Sequence, residues 1–374
     1  MISCGSVSDF PDKKVEAAVS ADTSFRPELD SDLAERARRL DRCNMAEVIR
    51  RLPAQIEIAL GDSIGPLPGG SFERVVVVGM GGSALPVDVV LDAFADRQKL
   101  PINIVRHYEL PDFADERTLI VASSFSGGTE EVLAAIENLP SDFPHVVAVS
   151  SGGRLAALAE ARGYTLIRIP LQYEPPGFQP RSAVGYTATY LARVFHAAGA
   201  LEDPRPELSA VPAFLRRHST HDEARRTAVW LADRIPLIYT DEQHLLGIAR
   251  LTKIKFNENA KRPAFFNAFP ELNHNEMIGF RASLARFAVL YFDDPASRPR
   301  IRRRFEVMRA VFAAQGINHV DFREWRIPGA TRAEKVFAAL EFADWSSYYR
   351  ALLDGLDPTP VDLVEEFKTL LTAS

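Results

Sequence analysis

At 374 residues, 47% of them hydrophobic and 25% charged, the chain has material for two ordinary domains or one large α/β unit. A net charge of −6 gives no electrostatic reason to expect nucleic acid or an anionic membrane as partner, and two cysteines, Cys4 and Cys43, outside any CxxC pair, argue against a disulfide framework or a zinc site. No apolar run approaches the roughly 18 residues of a membrane span and no basic-then-apolar leader opens the sequence, so a cytoplasmic protein with no membrane partner is expected.

Residues 1–30 are rich in Ser, Asp and Pro without periodicity and read as a loose N-terminal arm. From Ser31 apolar residues recur at helical spacing through Leu33, Ala37 and Leu40, then Val48, Ile49, Leu52 and Ile56. Short β-branched runs follow at crossover distances: 75–78, 102–105, 119–122, 146–149 and 166–169, with a helix over 85–95. Continuous apolar strands alternating with helices predict a parallel sheet covered on both faces. Residues 173–180, with three prolines and a glycine, form a turn-rich connector. The alternation then resumes, with strands at 235–239, 287–292 and 319–322 and helices at 244–256 and 333–353. The fold class is therefore α/β, two parallel sheets each flanked by helices in the doubly wound, flavodoxin-like manner. Residues 31–205 form the first unit with its leading helices and linker, and 206–374 the second with a C-terminal helix.

In open parallel sheets, ligands bind where strand ends lead into helix N-termini. Two such turns in the first unit carry suitable chemistry. The 75–78 strand runs into Gly79-Met80-Gly81-Gly82-Ser83, and the 119–122 strand into Ser123-Ser124-Phe125-Ser126-Gly127-Gly128-Thr129. Glycines let the backbone approach an anion, hydroxyls add donors, and Thr129 can cap a helix starting at Glu130. The glycines do not fall as GxGxxG, and no Gly-Lys-Ser/Thr is present, so neither a Rossmann fingerprint nor a P-loop is offered. With no Lys or Arg in the loop, a phosphomonoester fits better than a nucleoside triphosphate. Downstream, Phe256-Asn257-Glu258-Asn259-Ala260-Lys261 and Pro270-Glu271-Leu272-Asn273-His274-Asn275-Glu276 supply a carboxylate and an imidazole.

The Ser-x-Ser-Gly-x-Thr-Glu-Glu loop after a Gly-x-Gly-Gly-Ser turn resembles the sugar isomerase (SIS) domain. The Asn-Glu-Asn-Ala-Lys and Pro-Glu-Leu-Asn-His-Asn-Glu runs resemble one branch of it, the bifunctional phosphoglucose/phosphomannose isomerases, from about Ser31 to the C-terminus. The resemblance implies hexose 6-phosphate as substrate and a homodimer in which His274 acts across the interface. It places phosphate-binding hydroxyls at Ser83, Ser124, Ser126 and Thr129, beside the backbone of Gly81 and Gly82. It puts an arginine next to the reacting carbons at Arg181, the catalytic base at Glu258 and the ring-opening histidine at His274. A C-terminal lysine of the family has Lys368 as its counterpart, the sole lysine in the last thirty residues. Two departures flank the pocket: Gly128 replaces the usual Asn, and Pro86 and Val87 replace small residues.

Aldose–ketose interconversion moves a proton between C1 and C2 through a cis-enediol, which one carboxylate can do from one face of the sugar. Arg181 would stabilise the enediolate, and His274 with Lys368 would open the ring. No cofactor and no metal is implied. Two other readings compete. A non-catalytic sugar-phosphate sensor would keep the hydroxyl cradle without turnover, against which the set Glu258, His274 and Arg181 speaks. An isomerase–transferase would need a glutamine-hydrolysing domain, which thirty N-terminal residues cannot supply. Without the resemblance, Glu258 reads as a solvated helix carboxylate paired with Lys255, Lys261 or Arg262. The Pro- and Phe-rich stretch 263–270 suits an interface better than a solvent loop.

Overall fold

The computed structural model of the chain describes residues 27–282 and 284–372. Three helices lead, α1 (Pro27–Leu40), α2 (Met45–Arg50) and α3 (Leu52–Gly61). The first starts at Pro27, ahead of the expected Ser31, because proline suits a first helical turn; the rest of the expected arm lies outside the described residues.

The first sheet is built from β1 (Arg74–Gly79), α4 (Leu85–Ala93), β2 (Ile102–Val105), β3 (Thr118–Ser123), α5 (Glu130–Glu137), β4 (Val146–Ser150), α6 (Gly153–Arg162) and β5 (Thr165–Arg168). Its strands are all parallel, in the order β2-β1-β3-β4-β5. Helices α7 (Val184–Ala197), α8 (Arg205–Arg217) and α9 (His221–Leu231) lead to the second sheet. There follow β6 (Ile235–Asp241), α10 (Leu246–Glu258), β7 (Phe265–Phe269), α11 (Glu276–Gly279), β8 (Phe287–Asp293), α12 (Pro299–Ala314) and β9 (Val320–Arg326). The chain closes with α13 (Arg332–Leu353) and α14 (Asp362–Thr372). The second sheet is parallel in the order β7-β6-β8-β9, which repeats the first arrangement with one strand fewer. Strand β7 lies inside the stretch read from sequence as an interface segment; it pairs with β6 from Leu237↔Phe265 to Asp241↔Phe269.

One core joins the two halves. Val75, Val77, Leu119 and Val121 of the first sheet share it with Ile238 and Leu290 of the second, through α7, α10 and α13. Val76, Ile120 and Val146 face the opposite way, onto α5 and α6, while Leu237, Val289 and Tyr291 meet Phe305, Met308 and Phe312 of α12. Alternate residues of each strand thus face opposite layers, and both must be apolar. Helix α13 starts on a capping box of Thr331 and Glu334 and is buried along most of its length.

Candidate active site

The chain leaves β1 towards β2 but leaves β3 towards β4, so the crevice between the ends of β1 and β3 is the switch point of the first sheet. Gly79 and Ser123 stand in register there. The two loops beyond them are tied together: Ser123 Oγ donates to the Ser83 carbonyl at 2.8 Å, and the Phe125 N–H donates to Ser83 Oγ at 2.9 Å. Ser124 is fully buried and its hydroxyl lies 2.7 Å from that of Thr129. Ser126 is exposed at the tip, where its Oγ accepts from the Gly128 N–H at 3.2 Å. The four hydroxyls expected to meet phosphate therefore line one pair of loops. Gly127 has φ +68°, and a β-carbon there would lie 1.9 Å from the Gly152 carbonyl oxygen, so glycine is required.

One local expectation fails. Helix α5 does begin at Glu130, but the Thr129 side chain makes no capping bond to it. The hydroxyl is engaged with Ser124 instead. Pro86 and Val87 occupy the first turn of α4, where proline is tolerated and Val87 is buried.

Arg181 sits against this cradle in a short turn, Pro180–Ser182, with 2% of its surface exposed. A β-carbon on Gly82 would come within 2.8 Å of its backbone nitrogen. The guanidinium crosses to the second unit: Nε donates to Asn259 Oδ1 at 2.6 Å, Nη2 donates to the carbonyls of Pro358 and Thr359 at 3.1 and 2.7 Å, and Nη1 stands 3.4 Å from Glu258 Oε2. Burial pulls its pKa down, opposed by the charges of Glu258 and Asp344. Glu258 is the last residue of α10, and about a third of its side chain is exposed, so it is anchored yet open on one side. Residues distant in sequence thus form one constellation of hydroxyls and backbone from the first unit, Arg181 from the linker, and a carboxylate from the second.

The other two expected catalytic residues are not brought to this pair within the chain. His274 ends a short turn, Glu271–His274, and is exposed; among the described residues its ring has no hydrogen bond. Its neighbours are all engaged. Glu276 accepts from Tyr239 Oη and Asn267 Nδ2, Asn275 donates to Glu271 at 2.8 Å, and Asn273 accepts from Arg304 at 3.2 Å. The motif pins itself to the sheet and leaves its imidazole outward. Lys368 lies on exposed α14 with its ammonium 2.9 Å from Glu365, one turn earlier; among the described residues no hydrogen bond or ion pair joins it to Arg181 or Glu258.

The second crevice, between the ends of β6 and β8, differs in kind. Asp241 and Asp293 end these strands, and Asp294 follows. Asp294 is held by His244 Nδ1 at 3.0 Å and Lys335 Nζ at 2.7 Å, Asp293 by Arg302 Nε at 2.7 Å. Ion pairs stand where the first unit has glycines and hydroxyls. A groove of about 460 Å³ lies apart from both, on the β7 side of the second sheet, lined by Phe265, Phe266, Phe280 and Leu284.

Residues 220–371 match the model of the bacterial phospho-glucose isomerase C-terminal SIS domain. A bifunctional phosphoglucose/phosphomannose isomerase of Caldicellulosiruptor bescii is 32% identical over 344 residues, 87% of this chain and 98% of that relative. The chain belongs to the bifunctional phosphoglucose/phosphomannose isomerase family. A D-glucosamine-6-phosphate 4-epimerase of Sulfolobus acidocaldarius is 33% identical over 55% of this chain and 63% of that relative. Tagatose-6-phosphate ketose/aldose isomerase of Escherichia coli shares the fold, with a TM-score of 0.57 at 18% identity, covering 90% of this chain and 96% of that one.

Three residues of this phosphoglucose/phosphomannose isomerase relative escaped the sequence reading as parts of the site. Asn259 holds the Arg181 guanidinium and donates to Ser347 Oγ at 2.9 Å. Lys261 was read as a salt-bridge partner, yet its Nζ donates to the carbonyls of Glu258, Asn259 and Pro358 at 2.9, 3.2 and 2.9 Å. Burial and the nearby Arg181 charge lower its pKa to about 8. Lys255, also read as a partner of Glu258, is completely buried and donates to the Arg181 carbonyl instead. The signal available was the spacing 255, 258, 259 on one helix, which sets Lys255 on the same face as Glu258 and Asn259.

Proposed function

We propose that this protein interconverts glucose 6-phosphate and mannose 6-phosphate with fructose 6-phosphate, as a cytoplasmic homodimer. The observation that carries the reading is the Arg181–Glu258 pair, 3.4 Å apart, set directly against the hydroxyl loops. The phosphate would seat on Ser83, Ser124, Ser126, Thr129 and the backbone of Gly81 and Gly82. Neutral donors suit a phosphomonoester, since they hold it without an excess of positive charge. C1 and C2 would then lie by Glu258, which takes the proton from one carbon and returns it to the other. Arg181, buried and fixed by three acceptors, meets the negative charge that grows on the enediolate oxygens at little cost in reorganisation.

Ring opening is assigned to His274, acting in the neighbouring subunit's site, with Lys368 as its acid–base partner. What supports a second copy is the outward imidazole together with large apolar side chains left exposed in the second unit. Phe265 is 55% exposed and Leu284 92%, and Phe367 of α14 is 64% exposed. Surface of this kind on a water-facing protein marks an interaction site. Among the described residues no helix is long and apolar enough to cross a membrane.

A sensor without turnover would have no use for a carboxylate held open beside a buried arginine, so the enzyme reading is preferred. The test is a coupled assay of the purified protein on glucose 6-phosphate and on mannose 6-phosphate, each alone, with glucosamine 6-phosphate as a third substrate. Fructose 6-phosphate from either of the first two is expected. Folded protein that yields none from either would overturn the reading.

A further inference from the structure

Lys255 and Asp344 form an ion pair at 2.5 Å in the interior; the lysine is 0% exposed and the aspartate side chain 15%. Stability alone gives little reason for such a pair, because well-packed apolar residues of the same size usually do as well or better. The lysine has a second bond that a stabilising pair would not need. Its Nζ donates to the backbone carbonyl of Arg181 at 2.6 Å.

That bond is one rung of a ladder. Helix α13 presents Asp344 and, one turn on, Ser347. These hold Lys255 of α10 and Asn259, the residue that follows that helix, at 2.5 and 2.9 Å. Lys255 and Asn259 in turn hold the carbonyl and the Nε of Arg181, both at 2.6 Å. Each step advances one helical turn, so the two helices match rung by rung. Glu258 rides on the same stretch of α10 and faces Nη1 of the same guanidinium. The next carbonyl, that of Ser182, is likewise taken by a side chain, Gln55 Nε2 at 3.1 Å. The turn bearing Arg181 is therefore fixed from outside, and its position relative to Glu258 depends on α10.

We propose that Lys255, seated by Asp344, is a positioning residue for the isomerisation: it fixes the backbone of Arg181 so that the guanidinium and the Glu258 carboxylate keep one geometry. This rests on the function proposed above. Lys255 touches no substrate. Its contribution lies in the placement of two groups that do, and small misplacement of such groups costs rate far more than affinity.

The experiment replaces the pair as a pair. Lys255→Met/Asp344→Leu leaves no unpaired buried charge, so the melting temperature is expected to stay close to wild type or rise. kcat on the better hexose 6-phosphate is expected to fall about tenfold or more while KM changes by less than about threefold. A folded double variant with wild-type kcat overturns the proposal, because Arg181 and Glu258 would then keep their geometry without the lysine. Lys255→Met/Asp344→Asn, which likewise leaves no unpaired charge and keeps the shape at residue 344, is measured beside it, and the same criterion applies to it should the first double variant not fold. A second readout needs no turnover. The Arg181 Nε–H, buried on Asn259, is expected to exchange slowly with solvent by NMR in the wild type and faster in both variants. If wild-type protein turns over neither sugar, the proposed function fails while this exchange still decides the positioning claim. Unchanged exchange overturns it.

Discussion

Gly82 and Arg181 touch through their backbones, so closely that a β-carbon on the glycine would stand 2.8 Å from the arginine nitrogen. The Gly79–Ser83 turn and the turn that bears Arg181 are thus one surface, and movement of either displaces the other. Gly82→Ala is expected to cost about 1–3 kcal/mol of stability through overpacking against backbone that has nowhere to go. It should also lower kcat and raise KM together. Denaturant melts and steady-state kinetics on one preparation check both, and a variant indistinguishable from wild type in rate would show the contact to be slack.

Glu258→Gln keeps the size and the contact with Arg181 but removes the proton acceptor. Turnover is expected to fall to about a hundredth or less, the scale of general-base catalysis, with binding of hexose phosphate retained. Calorimetric titration and the coupled assay read the two quantities separately. More than about a tenth of wild-type kcat would take Glu258 out of the role of base.

Ser124 and Thr129 bond to each other at 2.7 Å and face the same crevice. Replacing both by Ala should raise KM for hexose phosphates, since each neutral donor to a charged phosphate contributes roughly 1.5–3 kcal/mol. Inorganic phosphate should compete with substrate in the wild type and far less in the variant. Equal inhibition of the two proteins would place the phosphate elsewhere.

Asp92 of α4 accepts from the Ile248 N–H at 2.8 Å and so holds the start of α10. Burial is the main influence on its carboxyl, with Asp88 adding to it and Arg332 opposing, and its pKa is pushed up from 3.8 to about 7. The folded state therefore binds the proton more tightly than the unfolded state. This contribution to stability is full below pH 3.8 and is lost as pH rises to about 7. Asp92→Asn keeps the acceptor and removes the titration. Between about pH 5 and about pH 8 the wild type should lose more stability than the variant, as urea midpoints would show. Identical losses would remove Asp92 from the pH dependence.

The shared-site prediction uses two inactive proteins. Mixed subunits of Glu258→Gln and His274→Ala should regain activity, because each mixed dimer holds one site with both native groups. With random assortment about half the dimers are mixed, so about a quarter of all sites recover. No recovery after verified subunit exchange would mean that His274 serves its own chain or none.

The strands and the glycine turns were legible because β-branched runs and positive-φ glycines are written locally, as in Val75–Val78 and Gly127. Strand β7 was not, since Phe265–Phe269 lies between Pro263 and Pro270 and aromatic residues serve a sheet edge and an interface alike. The burial of Lys255 was invisible for a different reason. Helix α10 is covered by α4 and α13 as well as by its own sheet, so the face that a solvated helix would give to water is interior. Asp344 and Ser347 are its partners, and only the folded chain brings them near. The pairing of Arg181 with Glu258 is likewise a product of the contact between the units, which no spacing within either motif encodes.

The two crevices of this molecule are related by their strand order and differ in what lines them. A phosphate approaching the second would meet Asp241, Asp293 and Asp294, already committed to His244, Lys335 and Arg302. On the proposed function, repetition of the fold would not double its capacity. Each chain would offer a single berth for a sugar phosphate, and its second half, relieved of holding an anion, would supply the base.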